Sequence, residues 1–143
     1  MKFVRVSPTA KIPTYGSQGA AGADLYVDSQ EAISIGIGET AVVHTGITVA
    51  IPKGYVGLIF ARSGLATKRG LAPANKVGVI DSDYRGELLV SLYNQSGKVQ
   101  RLEPQERVAQ LVIVPFLPVE YEEAETLDET ERGDGGFGST GRL

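Results

Sequence analysis

Apolar residues recur along the chain in short runs rich in Val and Ile, each cut off by glycine, proline or a cluster of polar residues. β-Branched and aromatic side chains suit a pleated, half-buried surface, so runs of this kind bounded by turn formers read as strands. Strands are predicted over Phe3–Val6, Asp24–Val27, Ala32–Ile37, Ala41–Ile51, Tyr55–Ala61, Leu88–Tyr93 and Val108–Val114. Ile33, Ile35 and Ile37 alternate with Ser34, Gly36 and Gly38, the period of a strand with one face in a core. Only Gly64–Arg69 suggests a helix, of roughly two turns. Many short strands separated by turns, with so little helix, predict an all-β sandwich or barrel of the distorted jelly-roll kind.

Composition narrows this further. A chain of 143 residues with 42% hydrophobic content has room for one domain around one core. The pattern changes after Pro118, where Glu120, Glu122, Glu123, Glu125, Asp128, Glu129 and Glu131 form an acidic, weakly apolar connector to a glycine-rich tail. Residues 1–118 are therefore expected to form the domain and residues 119–143 an arm. At up to ~3.3 Å per extended residue, such an arm reaches a neighbouring subunit. A net charge of −3 lacks the basic footprint of a protein that binds polymeric nucleic acid, so any anion must be held by a few placed groups. The absence of cysteine excludes disulfides and thiolate metal sites. No run approaches membrane-span length and Met1–Val6 lacks a signal-peptide pattern, so a soluble, cytoplasmic protein without membrane contact is expected.

Five segments carry candidate chemistry. Ala20–Leu25 places Asp24 at the mouth of a strand, where a plain turn role is the competing reading. In Ala61–Ala66 a strand ends and the helix opens at Ser63, a natural N-cap whose neighbouring amides serve either as a simple cap or as an anion site. Asn75–Glu87 sets a polar turn between two apolar stretches. A hairpin there would expose backbone groups able to read a base edge, and Asp81, leaving a buried strand, would be a partly desolvated candidate base. Asp83 fits turn chemistry better. Gln110 is the lone polar residue in an apolar strand and needs a partner, either a ligand oxygen or a backbone group. In the tail, Arg132 offers a planar cation for phosphate and Phe137 a flat face for a base, so the segment reads as a flap over a nucleotide. The single His44 has no carboxylate near it in sequence and reads as structural or exposed. One histidine and scattered carboxylates make an all-protein metal cage improbable chemistry; Mg²⁺ carried mainly by triphosphate oxygens and water fits better.

In this order, the segments resemble the five motifs of the homotrimeric deoxyuridine triphosphatases: Ala-Gly-Ala-Asp-Leu at 21–25, Ala-Arg-Ser-Gly-Leu-Ala at 61–66, Gly-Val-Ile-Asp-Ser-Asp-Tyr-Arg-Gly-Glu at 78–87, Arg-Val-Ala-Gln-Leu at 107–111 and Arg-Gly-Asp-Gly-Gly-Phe-Gly-Ser-Thr-Gly at 132–141. The resemblance implies a jelly-roll subunit, a homotrimer with shared active sites, and Mg²⁺-assisted hydrolysis of dUTP to dUMP and pyrophosphate. That reaction limits uracil in DNA and supplies dUMP for thymidylate synthesis. It further implies that Asp81 positions and activates the water attacking the α-phosphorus, that Tyr84 floors the deoxyribose and that Asn75 helps the hairpin backbone read uracil. Ser63, Gln110 and the Gly64 amide would hold phosphate oxygens, and Asp24 would touch the metal through water. Arg132 would pair with the terminal phosphates, Phe137 would stack on uracil, and Ser139 and Thr140 would hold the γ-phosphate. Arg62, Gly78, Ile80 and Gly138 complete the implied substrate-binding set. Two rivals are set against it. A deoxycytidine triphosphate deaminase resembles the same fold but carries a glutamate where this chain has Ser91. A non-hydrolysing nucleotide-binding module would be expected to lack Asp81 or Arg132, and both are present.

Overall fold

Glycine and proline divide the chain into elements too short to bury a face alone, so stability has to come from stacking several small sheets on one core. The computed structural model describes residues 1–136. Its strands are β1 (Lys2–Arg5), β2 (Thr14–Tyr15), β3 (Ala23–Tyr26), β4 (Ile33–Ile35), β5 (Thr40–His44), β6 (Ile47–Ala50), β7 (Tyr55–Ala61), β8 (Leu71–Pro73), β9 (Gly78–Ile80), β10 (Leu89–Asn94), β11 (Gln100–Leu102) and β12 (Arg107–Pro115), with the helix α1 (Ser63–Arg69) between β7 and β8. The architecture is the expected all-β jelly roll with one short helix.

The largest sheet has the order β2-β3-β12-β7-β9, and smaller ones are β5-β10-β8, β1-β6 and β11-β4. β12, with its nearly continuous apolar sequence, lies between β3 and β7 and pairs antiparallel with both. Inner faces meet over Leu25, Ile35, Ile47, Leu71, Leu88, Leu92 and Leu102, all fully buried. Buried Asn94 links the sheets: its side-chain amide donates to the carbonyls of Ile35 (2.9 Å), Gly36 (3.0 Å) and Lys98 (2.8 Å). Its Oδ1 accepts the Ser96 N–H at 2.9 Å. Helix α1 is too short to be stable alone. It is held by buried Leu65 and closed by Gly70, whose left-handed φ of 65° lets its N–H reach the Ala66 carbonyl.

Three expectations change. The predicted strand Ala41–Ile51 is two strands, because the chain turns at Gly46 with φ +67°, where a Cβ would fall 2.5 Å from that of Ala10. The Ile33–Ile37 alternation ends early: Ile35 is buried but Ile37 is 60% exposed, since a turn begins at Gly36, whose carbonyl accepts the Glu39 N–H. Strands β2, β8, β9 and β11 span two or three residues each, too few to produce a periodic signal. From Phe116 to Gly136 the described chain contains no strand or helix and is almost wholly exposed.

Candidate active site

One end of the large sheet gathers charge. Gln110 on β12 lies opposite Asp24 on β3 and opposite Phe60 on β7, so Arg62, just past the end of β7, falls beside the same carboxylate. Arg62 Nε donates to Asp24 Oδ1 at 2.9 Å and Arg107 Nη1 to Oδ2 at 3.2 Å, with Gln110 Nε2 at 3.5 Å. Asp24 is therefore not at a strand mouth but inside β3, with its side chain only 5% exposed between two guanidiniums. A carboxylate so buried is tolerable because it is paired and hydrogen-bonded. It also holds the two cations in place, and Arg107 itself stays exposed. Gln110 finds this carboxylate rather than the backbone partner that is commoner for such a residue.

Ser63 corrects the capping expectation. Arg62 is the N-cap, with extended φ −81° and ψ 130°, and makes no side-chain cap. Its carbonyl accepts the Ala66 N–H, which makes Ser63 the first helical residue. The Ser63 side chain and Gly64 are consequently exposed at the helix start, beside Arg62.

A second constellation lies on β9. This strand pairs with β7 alone, and β8 with β10 alone, so two sheet edges face each other across a cleft of about 140 Å³. Asn75, Gly78, Val79, Ile80 and Ser91 are among its lining residues. On the side away from β7, Gly78–Ile80 have no strand beside them among the described residues, which leaves backbone N–H and C=O groups for a ligand. The cleft is below the usual size of a site for a whole drug-sized ligand and suits a single heterocycle. The expected hairpin is not formed as such. Strand β9 lies in a different sheet from β8 and β10, because it pairs with β7 from Gly57↔Ile80 through Ile59↔Gly78.

Asp81 follows β9 and is exposed, contrary to the partial burial expected of it. It stands at the margin of an edge strand and borders an open groove of about 860 Å³ that also includes Val56, Val79, Arg85 and Phe116. Tyr84 donates its hydroxyl to the Glu87 carbonyl at 3.0 Å, and its ring lies over Gly86, where no Cβ stands in the way. His44, read as structural or exposed, is exposed but paired: its Nδ1 is 2.9 Å from Glu87 Oε2. Sequence reasoning gave Glu87 no role. The only available signal, a carboxylate ending a dense polar turn, says nothing of a histidine distant in sequence.

The two constellations are staggered along β7. Gly78 is level with Ile59 and Ile80 with Gly57, so the path from Gly78 to Asp81 leads away from Arg62 and Ser63. From the level of Asp81, near Val56, to Arg62 is on the order of 20 Å at ~3.3 Å per residue. Arg132 is exposed and donates from Nε to the Gly135 carbonyl at 2.9 Å within its own segment. Phe137, Gly138, Ser139 and Thr140 lie outside the described residues. No group of three or more His, Asp or Glu suited to a metal occurs among the described residues. Nor is any helix among them long and apolar enough to cross a membrane.

Residues 8–141 match the family model described as dUTPase. The chain is 47% identical over 140 residues to a deoxyuridine 5'-triphosphate nucleotidohydrolase of Desulfitobacterium hafniense, covering 97% of this chain and 93% of the relative. It is 48% identical over 132 residues to one of Acinetobacter baumannii, covering 92% and 88%. Among solved structures it is similar to a Staphylococcus bacteriophage 80alpha dUTPase with dUPNHPP, at a TM-score of 0.90 and 31% identity over 99% of this chain and 98% of that one. A variant of the dUTPase from phage phi11 of S. aureus, described with the coordination of a structural Mg(II) ion, matches at a TM-score of 0.80 and 27% identity over 90% and 98%.

Proposed function

The chain belongs to the dUTPase family and hydrolyses dUTP as a dUTP diphosphatase, and we propose that it does so at sites completed by two or more copies of the chain. The carrying observation is the direction of β9. A base in the cleft beside Asn75 and Gly78, with its sugar toward Tyr84, sends its phosphates out past Asp81 and away from this chain's own Arg62 and Ser63. The phosphate-holding set must then come from another copy, which the family's homotrimer would supply. Closed rotational symmetry makes every such site equivalent.

Within that site the chain's own groups have separable tasks. The backbone of Gly78–Ile80, with the Asn75 side chain, presents donors and acceptors to the base edge. Cytosine, with its donor and acceptor pattern reversed, leaves buried groups unpaired and is rejected. Tyr84 lies under the sugar. A 2′-hydroxyl packed on an aromatic face finds no partner, at a cost of roughly 1–3 kcal/mol.

Asp81 accepts a hydrogen bond from water and aims its oxygen at the α-phosphorus. As the O–P bond forms, the carboxylate takes the water's proton and pyrophosphate leaves on the opposite side. Ser63, the Gly64 amide and Gln110 of another copy hold phosphate oxygens, with Arg62 beside them. Phosphoryl transfer asks chiefly for such positioning and charge neutralisation. Asp24, whose carboxylate is bonded to Arg62 and Arg107, would face a triphosphate-borne Mg²⁺ only through water, and the ion would supply further charge neutralisation. Arg132 joins the terminal phosphates, and Phe137, Gly138, Ser139 and Thr140 close over the base and γ-phosphate as an arm formed by residues 119–143. The biological consequence of this chemistry is less uracil in DNA and a supply of dUMP for thymidylate synthesis.

Hydrolysis in ¹⁸O-labelled water with Mg²⁺ tests the bond cleaved. Label appearing in dUMP and none in pyrophosphate is the expected result. Label in pyrophosphate would mean attack at the β-phosphorus and would remove Asp81 from its assigned role.

A further inference from the structure

The loop from Asp81 to Glu87 is exposed along most of its length and carries both the water-positioning carboxylate and the sugar-facing ring. Its internal bonds are local. The Tyr84 N–H donates to the Asp81 carbonyl at 3.2 Å, and Arg85 Nη1 donates to the carbonyls of Ser82 (2.7 Å) and Tyr84 (2.8 Å). None of these fixes the loop to the sandwich.

Glu87 does. Its Oε1 accepts the backbone N–H of Thr45 at 3.1 Å and of Gly46 at 2.7 Å, and its Oε2 lies 2.9 Å from His44 Nδ1. The two amides belong to the buried turn between β5 and β6, and Gly46 has the positive φ needed to aim its N–H at the carboxylate. The next residue extends the junction. The Leu88 N–H donates to the Ile47 carbonyl at 2.8 Å, and its carbonyl accepts the Thr45 hydroxyl at 2.7 Å. Amide-to-carboxylate bonds are charge-assisted and roughly twice as strong as neutral ones. The main-chain carbonyl of this anchored residue is what accepts the Tyr84 hydroxyl.

We propose that Glu87 is a positioning residue for sugar selectivity: its carboxylate pins the loop to the β5–β6 turn, and its carbonyl thereby fixes the plane of the Tyr84 ring. This rests on the reading of Tyr84 as the floor under deoxyribose. Glu87 touches no substrate in this scheme and acts only through the ring it holds. A ring free to tilt opens space for a 2′-hydroxyl and its water, so discrimination between dUTP and UTP falls while chemistry on dUTP persists.

The test is the ratio of kcat/KM for dUTP to that for UTP, measured on one preparation of each full-length variant so that the folded fraction cancels. Glu87→Ala is expected to lower this ratio about fivefold or more, the worth of one neutral hydrogen bond. Glu87→Gln keeps the shape and an oxygen for both amides, and should restore most of it. An unchanged ratio in Glu87→Ala, with activity on both nucleotides reduced alike, would overturn the proposal by reducing Glu87 to a stabilising residue. Tyr84→Ala separates the premise from the inference. A ratio unmoved by Tyr84→Ala refutes the sugar-floor reading itself, whereas a ratio lowered by Tyr84→Ala but not by Glu87→Ala refutes only the positioning role.

Discussion

Asp81 shows what one exposed carboxylate can contribute. Exposed beside an edge strand, it can orient a water and accept its proton as the new bond forms. Asp81→Asn keeps the size and one acceptor but loses the negative charge that orders and deprotonates water. Turnover of dUTP should drop by at least ~10²-fold, the usual lower bound for a group acting on a proton in the transition state. Binding of a non-hydrolysable dUTP analogue, followed by calorimetry, should stay within a few-fold of wild type, on the order of 1 kcal/mol or less. Turnover near the wild-type rate would remove Asp81 from the mechanism. Asp24 illustrates the opposite case. Sequence marked it as a metal contact or turn residue, while the structure seals it between Arg62 and Arg107, where it holds both guanidiniums in place.

At the scale of elements, the fold depends on a few junctions where short strands change sheet. Asn94 is the clearest: a fully buried side-chain amide bonded to the Lys98 carbonyl in the β10–β11 turn and to the Ile35 and Gly36 carbonyls at the end of β4. Asn94→Ala strands those carbonyls without their donor. It should cost about 2–4 kcal/mol, read as a shift of the denaturant midpoint at unchanged slope. A loss below ~0.5 kcal/mol would show that water replaces the amide at no penalty. The same junctions explain what was legible beforehand. Long apolar runs such as β7 and β12 announce themselves by composition, and the motif residues could be placed on their ends. Strand β9 could not be assigned its partner, because three residues carry no register and its pairing with β7 is a long-range choice. The break at Gly46 was likewise invisible: a glycine within a β-rich run signals its positive φ only once Ala10 is packed against it. The Glu87–His44 contact crosses such a break, which is why neither residue looked functional in sequence.

For the whole molecule, the proposed shared site rests on Asp81 and the Arg62–Ser63 corner standing toward opposite ends of β7. Residues on a shared sheet are fixed relative to each other by hydrogen-bonded register, which keeps the end of β7 beside Arg62 on the order of 20 Å from the level of Asp81. The catalytic unit proposed between copies would tie activity to association. The most direct test co-expresses two differently tagged chains, one Asp81→Asn and the other Ser63→Ala with Gln110→Ala, and isolates the mixed oligomers by tandem affinity. Each variant alone should be nearly inactive. In the proposed homotrimer every mixed oligomer has one of its three sites wild type at both positions, so the purified mixed oligomers should recover about a third of wild-type turnover. Mixed oligomers no more active than either parent would contradict the shared site and place the whole reaction within a single chain.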